Sequence, residues 1–428
     1  MAASTPSPPK TRISSDFNRL WIGQTISEVG SRISREGLPF TALLILHASP
    51  AQMGILTSIS TASVLVFGLL AGVIVDRLRK RPVMILTDLG RAALLGLIPL
   101  AALTHHLSFG VLIAVAALVG ILTVHFDVAY QSYLPVLVER EKLLECNRRL
   151  STSASGAELV GPALAGVLVQ AITAPLAILV DALSFVVSAL SVWSIRKPEL
   201  PIERQSRPQH SGAFIFSESL DGLRFIWSHA ALRALLLRST STFLFMGLIF
   251  ALYLLNAIRI VHISTSALGF AIALGGAGGL AGAWLSTRLS RRHGHAATFF
   301  LSAVFGGIGH LFIPLSAQFP RIGFPCICIQ QFFGDMAFTI YIVNETTIRQ
   351  TLAPPHVMGR VNSVMQIASR GMLPFGALSG GFLAQRFGIA PTLWVGAGGV
   401  LLSSLWLLPL LRHSREIWTS ENTAPATN

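Results

Sequence analysis

Charged side chains are scarce in this sequence. Only 12% of its 428 residues are Asp, Glu, Lys or Arg, against about a quarter in typical soluble domains. A water-soluble protein of this length needs more polar surface to cover its core. Hydrophobic residues make up 52% of the chain, in runs of roughly 20, the length that crosses a bilayer as a helix. The composition therefore excludes an ordinary soluble globule and predicts a membrane protein.

Cysteine is scarcer still, with Cys146, Cys326 and Cys328 as its only occurrences. The last two are two positions apart in an apolar segment, so a helix points them to different faces. This pattern implies no disulfide framework and no metal site. The sequence also has no nucleotide-binding loop and no nucleophile elbow. We therefore expect no cofactor and no enzymatic activity.

Acidic residues are outnumbered, since 19 Asp and Glu face 32 Lys and Arg, which gives a net charge of +13. A basic balance can indicate nucleic-acid binding, but such binding needs a basic face on a folded domain. Here the basic residues lie mainly in short links between apolar runs, as in the cytoplasmic loops of membrane proteins. The charge therefore predicts a lipid bilayer as partner and no nucleic acid.

Twelve apolar runs are candidate membrane spans. Links rich in Lys and Arg alternate with links that carry almost none, which places both termini in the cytoplasm. The spans lie near residues 18–46, 51–75, 82–104, 108–131, 151–172, 174–195, 236–258, 265–287, 296–317, 322–344, 361–385 and 389–411.

These spans predict an all-α membrane protein of five parts. The parts are a disordered cytoplasmic tail (1–16), a six-helix bundle (17–195), a cytoplasmic linker (196–235), a second six-helix bundle (236–412) and a second cytoplasmic tail (413–428). The later part of the linker predicts an amphipathic helix at the membrane surface. Its apolar side would carry Phe214, Leu220, Leu223 and Phe225.

The two bundles carry matching sequence patterns in the same order, which indicates an internal repeat. The stretch at 68–81, GLLAGVIVDRLRKR, has a weaker copy at 279–292, GLAGAWLSTRLSRR. In the fifth span of each half, two glycines five positions apart precede a glutamine, at residues 161–170 and 376–385. Parallel halves around a site at the membrane midplane are the arrangement expected of secondary transporters.

The joint after the second span is a candidate conformational latch. Its glycine would let two helices approach closely, and its acid would accept from helix amides or pair with a guanidinium. The bases would hold the loop at the anionic inner surface. The alternative to a latch is a plain basic cytoplasmic loop. The residues concerned are Gly72, Asp76, Arg77, Arg79, Lys80 and Arg81.

The fifth span combines small residues with a proline. Gly156, Gly161 and Gly166 would form a smooth surface for close helix contact. Pro162 removes one backbone donor and is expected to kink the helix. Ordinary packing of small residues is the alternative to a functional role.

Ionisable residues inside a membrane are costly and usually functional. Glu28, Arg32 and Arg35 share one face of the first span, and Glu36 lies four positions after Arg32. They form either a buried structural network or a proton-coupled substrate site. Asp335 and Arg370 fall mid-span in the second half, where they could pair. Weaker candidates are Asp127, Glu158, Asp181 and Glu345.

The joint after the second span resembles the signature loop of the major facilitator superfamily. The fifth span resembles that of its drug/proton antiporters. Segments such as FNRLWIGQTISEVGSRI, LVDALSF and GRVNSVMQIASRG follow one another as in a bacterial efflux branch that includes the enterobactin exporter and macrolide-efflux-type proteins. The family more often has a small residue where Arg79 stands and an acid where Ser31 stands.

The resemblance implies twelve helices in two pseudo-symmetric bundles, a monomer, and transport across the bacterial cytoplasmic membrane. We expect proton-coupled export of a small amphipathic substrate such as a drug, a macrolide or a siderophore-like compound. An importer or uniporter of the same fold is the first alternative, and a non-transporting membrane sensor is the second.

Overall fold

The computed structural model describes residues 14–199 and 212–412. Most of the two predicted tails and residues 200–211 of the predicted linker lie outside the described residues. Helix α1 begins at Ser15, slightly before the end of the predicted tail, because the Ser14 hydroxyl accepts a hydrogen bond from the backbone N–H of Phe17 (3.2 Å). Serine caps of this kind also start several later helices, at Ser49, Ser108 and Ser264.

Sixteen α-helices make up the two halves within the described ranges. The first half contains α1 Ser15–Leu44, α2 Pro50–Asp76, α3 Lys80–Leu103, α4 Phe109–Leu137, α5 Leu143–Ile172 and α6 Ala174–Trp193. The second contains α7 Gly212–Ser228, α8 Ala230–Leu255, α9 Thr265–His293, α10 His295–His310, α11 Phe312–Gln318, α12 Gly323–Leu352, α13 Pro355–Arg370, α14 Met372–Phe387, α15 Ile389–Leu402 and α16 Leu408–Arg412.

Ten helical segments among the described residues are long and apolar enough to cross a membrane. The other two predicted spans correspond to α1 and to the pair α13–α14. Helix α1 is too polar to qualify because it carries the four predicted charges, and α13–α14 is interrupted at Gly371. The predicted all-α fold with twelve spans in two bundles is therefore confirmed.

Contacts between the halves run mainly along two helix pairs, α2 with α14 and α5 with α9. We call the end of the molecule that carries residues 76–81 the basic face, and the other end the opposite face. Near the opposite face Gly54 lies against Gly381, and Gly166 lies against Gly269. The hydroxyl of Thr265 also donates to the carbonyl oxygen of Gly166 (3.1 Å). Side chains larger than hydrogen would separate these backbones, so the glycines let the halves close here.

The same helices separate toward the basic face. A Cβ atom added at Gly72 of α2 or Gly156 of α5 would meet no described atom within 4 Å outside its own helix. The space between the halves is therefore closed at the opposite face and open at the basic face. Gly72 was predicted to sit in a close helix contact, and in this conformation it does not.

The predicted linker helix is present as α7, and it packs on α13 and α8. Gly222 faces the backbone of Arg360 on α13, and Ile226 is fully buried. Leu220 and Leu223 remain more than one third exposed. Helix α7 thus covers the basic-face end of the second half.

The glycine contacts predict how the halves move. A Cβ atom at Gly166 would overlap the backbone carbonyl of Thr265, whereas the surroundings of Gly156 on the same helix are empty. We expect Gly166→Leu to open the opposite face, and the matched change Gly156→Leu to leave it closed. Spin-label distances between the opposite-face ends of α5 and α9 would measure this, and an equal effect of both changes would contradict it.

Candidate functional site: charges between the two halves

The charges of α1 meet a carboxylate of α5. A guanidinium nitrogen of Arg32 pairs with Glu158, and Arg35 lies 3.7 Å from the other oxygen of the same carboxylate. Glu28 is 3.9 Å from Arg32. The predicted spacing therefore brings Glu28 and Arg32 together, but Glu158, a weaker candidate in the sequence, is the main partner of both arginines.

A glycine makes this contact possible. Gly161 of α5 faces the Cβ and Cγ atoms of Arg32, so a side chain at this position would push the two helices apart. Glu158 lies one turn earlier on α5, where its carboxylate reaches the guanidinium. The glycine that the sequence singled out thus has a local role, which is to let α5 approach a charged stretch of α1.

The second half contributes an acid and a phenol to the same region. The charges that act on Asp335 of α12 are those of Glu158 and Arg35, both in the first half. Tyr253 of α8 lies within electrostatic range of Asp335 and Glu36. Its buried hydroxyl has no hydrogen-bond partner among the described residues. The charged cluster therefore spans both halves.

The predicted pairing of Asp335 with Arg370 is not formed. Arg370 ends α13 with an exposed side chain and makes no ion pair among the described residues. Asp335 is instead close to Gly275 of α9, whose missing side chain leaves room for the carboxylate. Asp335 thus lies against α9 of its own half, within range of the charges of Glu158 and Arg35 in the first half.

Negative charge is in excess in this cluster. With all groups ionised, the four carboxylates of Glu28, Glu36, Glu158 and Asp335 face the two guanidinium groups of Arg32 and Arg35. Among the described ion pairs none includes Glu36 or Asp335. Uncompensated charge inside a bilayer is unfavourable, so such a cluster favours protons or a bound cation.

A cavity of about 220 Å³ adjoins the cluster on the side of the first half. Glu28 and Tyr130 lie in its wall, and most other groups there are hydroxyls and amides. The lining side chains are Gln24, Thr25, Glu28, Tyr130, Asn147, Leu150, Ser151, Ser153 and Ala154. A partly apolar wall with hydroxyls, amides and one carboxylate suits an amphipathic ligand that has hydrogen-bonding groups and a positive charge.

The joint after α2 is held within the first half. The carboxylate of Glu199 accepts hydrogen bonds from the backbone N–H groups of Lys80 (2.6 Å) and Arg81 (3.2 Å), which caps the start of α3. Arg81 donates to the carbonyl oxygen of Trp193 (2.6 Å) at the end of α6. The Lys80 ammonium donates to the carbonyl oxygen of Val75 (2.5 Å) at the end of α2.

Asp76 was predicted to provide that cap or to bind a guanidinium, and in this conformation it does neither. Its side chain is exposed and forms no ion pair within the described ranges. Arg77 follows α2 as its cap residue, and Arg79 precedes α3 without a side-chain hydrogen bond. The acid of the joint is therefore free to bind elsewhere when the halves move.

Comparison with known proteins decides the family. The family model described as transmembrane secretion effector matches residues 4–426, nearly the whole chain. The chain belongs to this family of major facilitator transporters. Its members move molecules across membranes and are not enzymes, in agreement with the predicted superfamily and fold.

Two relatives of this chain are named as efflux proteins. Macrolide efflux protein A of Streptococcus pyogenes is 25% identical over 413 residues, which cover 94% of this chain and 97% of the relative. The multidrug efflux pump Tap of Mycolicibacterium fortuitum is 27% identical over 366 residues, which cover 82% and 86%. Two efflux proteins of different bacteria thus align with most of the chain.

Solved transporter structures share the fold of this chain. The nucleoside transporter NupG superposes with a TM-score of 0.73 at 11% identity, over 93% of this chain and all of that one. A bacterial homologue of the iron transporter ferroportin, in an inward-facing state, gives 0.67 at 18% identity, over 92% and 98%. At such identities the likeness concerns the fold alone.

The first half also holds a buried ion pair that was not predicted from the sequence. Arg91 of α3 pairs with Asp88 one turn earlier, and both are nearly inaccessible, at 3% and 0% exposure. The guanidinium lies between the rings of Phe126 (4.3 Å) and Phe185 (4.0 Å). An acid and a base three positions apart inside an apolar span were the available signal.

The contact of Arg32 with Glu158 predicts an energetic coupling. In a double-mutant cycle of Arg32→Gln and Glu158→Gln, we expect thermal unfolding to give a coupling of roughly 0.5–1 kcal/mol, because Glu158 is half exposed and its charge is screened. The exposed pair of Arg149 and Glu145 provides a matched cycle with a smaller coupling. Strict additivity at Arg32 and Glu158 would contradict the contact.

Proposed function

We propose that this protein is a proton-coupled exporter of small amphipathic organic compounds that carry a positive charge. It works as a monomer in the bacterial cytoplasmic membrane, with the basic face and both termini in the cytoplasm and with no cofactor. The observation that carries the proposal is the excess of carboxylates between the halves, with Asp335 from one half acting together with Glu36 and Glu158 from the other.

The direction of transport is supported by the relatives, which are efflux proteins. The proposed cytoplasmic position of the basic face follows from its Lys and Arg residues. With that orientation the conformation described above is open to the cytoplasm, where an exporter loads its substrate. The polar cavity beside Glu28 then lies on the route from the cytoplasm to the charged cluster.

Competition between substrate and protons supplies the coupling. In the cytoplasm-open state protons leave the cluster and the positively charged group of the substrate takes their place beside Asp335 and Glu36. When the halves rock to the outside-open state, protons from the more acidic exterior neutralise the carboxylates and release the substrate. Each state thus favours a different occupant, which is the condition for a ligand to shift a conformational equilibrium.

The joint after α2 acts as a latch in this cycle. In the cytoplasm-open state its bases bind the ends of α2 and α6, and Asp76 is free. Closure of the basic face would bring the start of α13 toward the exposed carboxylate, since α13 continues into α14 and α14 is packed on α2. An acid that binds only in the closed state stabilises that state alone.

A uniporter or importer of the same fold is the second candidate. It is favoured by the pairing of both arginines with Glu158, because a partly neutralised cluster can bind substrate without releasing protons. Counterflow of labelled substrate in vesicles without a pH gradient would occur at the full rate in a uniporter. In the proposed exporter, net movement requires the gradient.

The proposal predicts the effect of removing single carboxylates. In proteoliposomes, a pH gradient across the membrane should drive a macrolide or a cationic dye toward the acidic side through the wild-type protein. Asp335→Asn and Glu36→Gln should each lower this gradient-driven transport at least tenfold while substrate exchange persists, because an amide cannot carry the proton. The measurement is dye or radiolabel flux with and without the gradient.

Asp221→Asn is the matched control, because Asp221 lies on α7 outside the bundle in an exposed pair with Arg224. It should transport like the wild type. Wild-type flux that does not respond to the gradient for any compound of the panel would overturn proton coupling. Loss of gradient-driven transport in Asp221→Asn as well would show that the effect is not specific to the cluster.

A further inference from the structure

A carboxylate lies buried where α6 packs on α1 in the first half. Asp181 of α6 is only 1% exposed, and a Cβ atom added at Gly30 of α1 would come within 2.6 Å of its Oδ1. The carboxylate therefore rests directly against the backbone of α1, where the N–H groups are already bonded within the helix. That backbone has no free donor with which to balance a negative charge.

The side chains that touch Asp181 from α1 and α6 are neutral. The Ser184 hydroxyl donates to its Oδ1 (3.0 Å). Ser34 of α1 lies beside the same carboxylate, and its buried hydroxyl has no hydrogen-bond partner among the described residues. None of the ion pairs within the described ranges includes Asp181.

The two charged groups that act on Asp181 both belong to α3. They are Arg91 and Asp88, which form the buried ion pair described above. The arginines of α1 bind Glu158 of α5 instead. Asp127 of α4, whose side chain is exposed, adds a further negative charge that acts on Arg91. Two buried carboxylates thus share one guanidinium, and Asp88 already binds it.

Asp88, Arg91 and Asp181 together carry one negative charge in excess when all three are ionised. Their exposures lie between 0% and 3%, so water does not screen this charge. A buried charge without a counter-charge is strongly unfavourable, and more so in a bundle surrounded by lipid. One of the two oxygens of Asp88 is also buried without a hydrogen-bond donor. The group therefore needs one more positive charge.

The close contact of α1 with α6 favours a proton over a metal ion. No room remains between Gly30 and Asp181 for a methyl group, so an ion at this point would push the two helices apart. A proton adds no volume. The Ser34 hydroxyl can accept the hydrogen bond of the carboxyl O–H that results.

We propose that Asp181 is a proton-binding site of the first half, separate from the charged cluster, and that it holds one proton at neutral pH. This proton neutralises the contact of α6 with α1, the helix that carries Glu28, Arg32, Arg35 and Glu36. Its loss at alkaline pH weakens that contact. The inference depends on burial and charge balance within one bundle, and it does not depend on the direction or coupling of transport.

The test compares the wild-type protein with Asp181→Asn, both full length and purified in detergent. The amide keeps the shape of the side chain and carries no charge. A proton that binds only to the folded state stabilises the protein at low pH, and this stabilisation is lost as the pH rises. From weakly acidic to weakly alkaline pH, the midpoint of thermal unfolding should fall by several degrees in the wild type and by less in Asp181→Asn. The difference should correspond to about one proton.

Asp221→Asn is the matched control, because it removes an acid from an exposed pair with Arg224. It should show the pH dependence of the wild type. An equal pH dependence of the wild type and Asp181→Asn would overturn the proposal. So would a stabilisation by sodium over choline, at constant ionic strength, that Asp181→Asn abolishes, because it would assign a metal ion to the site.

Infrared spectroscopy decides the question even when Asp181→Asn fails to fold. A protonated carboxyl group has a C=O band separate from that of a carboxylate. At neutral pH we expect this band in the wild type and also in the double variant Glu36→Gln with Asp335→Asn, which removes two acids of the charged cluster. A band that remains in the double variant supports the site. Its absence from the wild type or from the double variant would rule the site out.

Discussion

The pairing of α1 with α5 through Arg32 and Glu158 is the contact on which the rest of the site depends. A bilayer-spanning helix with two acids and two bases is unfavourable alone, and α1 is accordingly too polar to qualify as a membrane span by composition. The carboxylate of Glu158 compensates the arginines only because Gly161 lets the helix backbones approach. Once both arginines face α5, Glu36 is left without an ion pair among the described residues, and its charge acts, together with that of Asp335, on Tyr253 of the second half.

Glycine contacts of the same kind determine which face is closed. At the opposite face Gly54 and Gly166 lie against glycines of the other half, so backbones touch without intervening side chains. Near the basic face Gly72 and Gly156 on the same two helices have no such neighbours. Because each of these helices carries small residues at both ends, either end can close in its turn. Alternating access then needs only a rocking of two rigid halves, and the charged cluster sits near the pivot.

Much of the fold, and part of the site, could be predicted from the sequence. Hydropathy and the alternation of basic links predict the spans, because both depend on local composition. Glu28 and Arg32 could be placed together because four positions separate neighbours on a helix. Pairings between helices could not be predicted in this way. Glu158 rather than Glu36 binds the arginines, and Asp335 does not face Arg370. Glu199 caps α3 where Asp76 was expected. Such pairings depend on how each helix is rotated about its axis and on how closely it packs against its neighbours. The spacing of residues along one helix does not determine either property.

The two halves have kept one fold while their buried charges diverged. In the first half, acids surround Arg91 and the arginines of α1; in the second, Arg238 is buried without an adjacent acid. Moving an uncompensated charge against the bilayer is unfavourable, and rocking of the halves as rigid bodies leaves the contacts of each buried charge in place. The surface between the halves can hold an excess of charge because water reaches it from the open face. The excess of carboxylates lies there, so binding and release occur where the halves separate, while the interior of each bundle stays unchanged through the cycle.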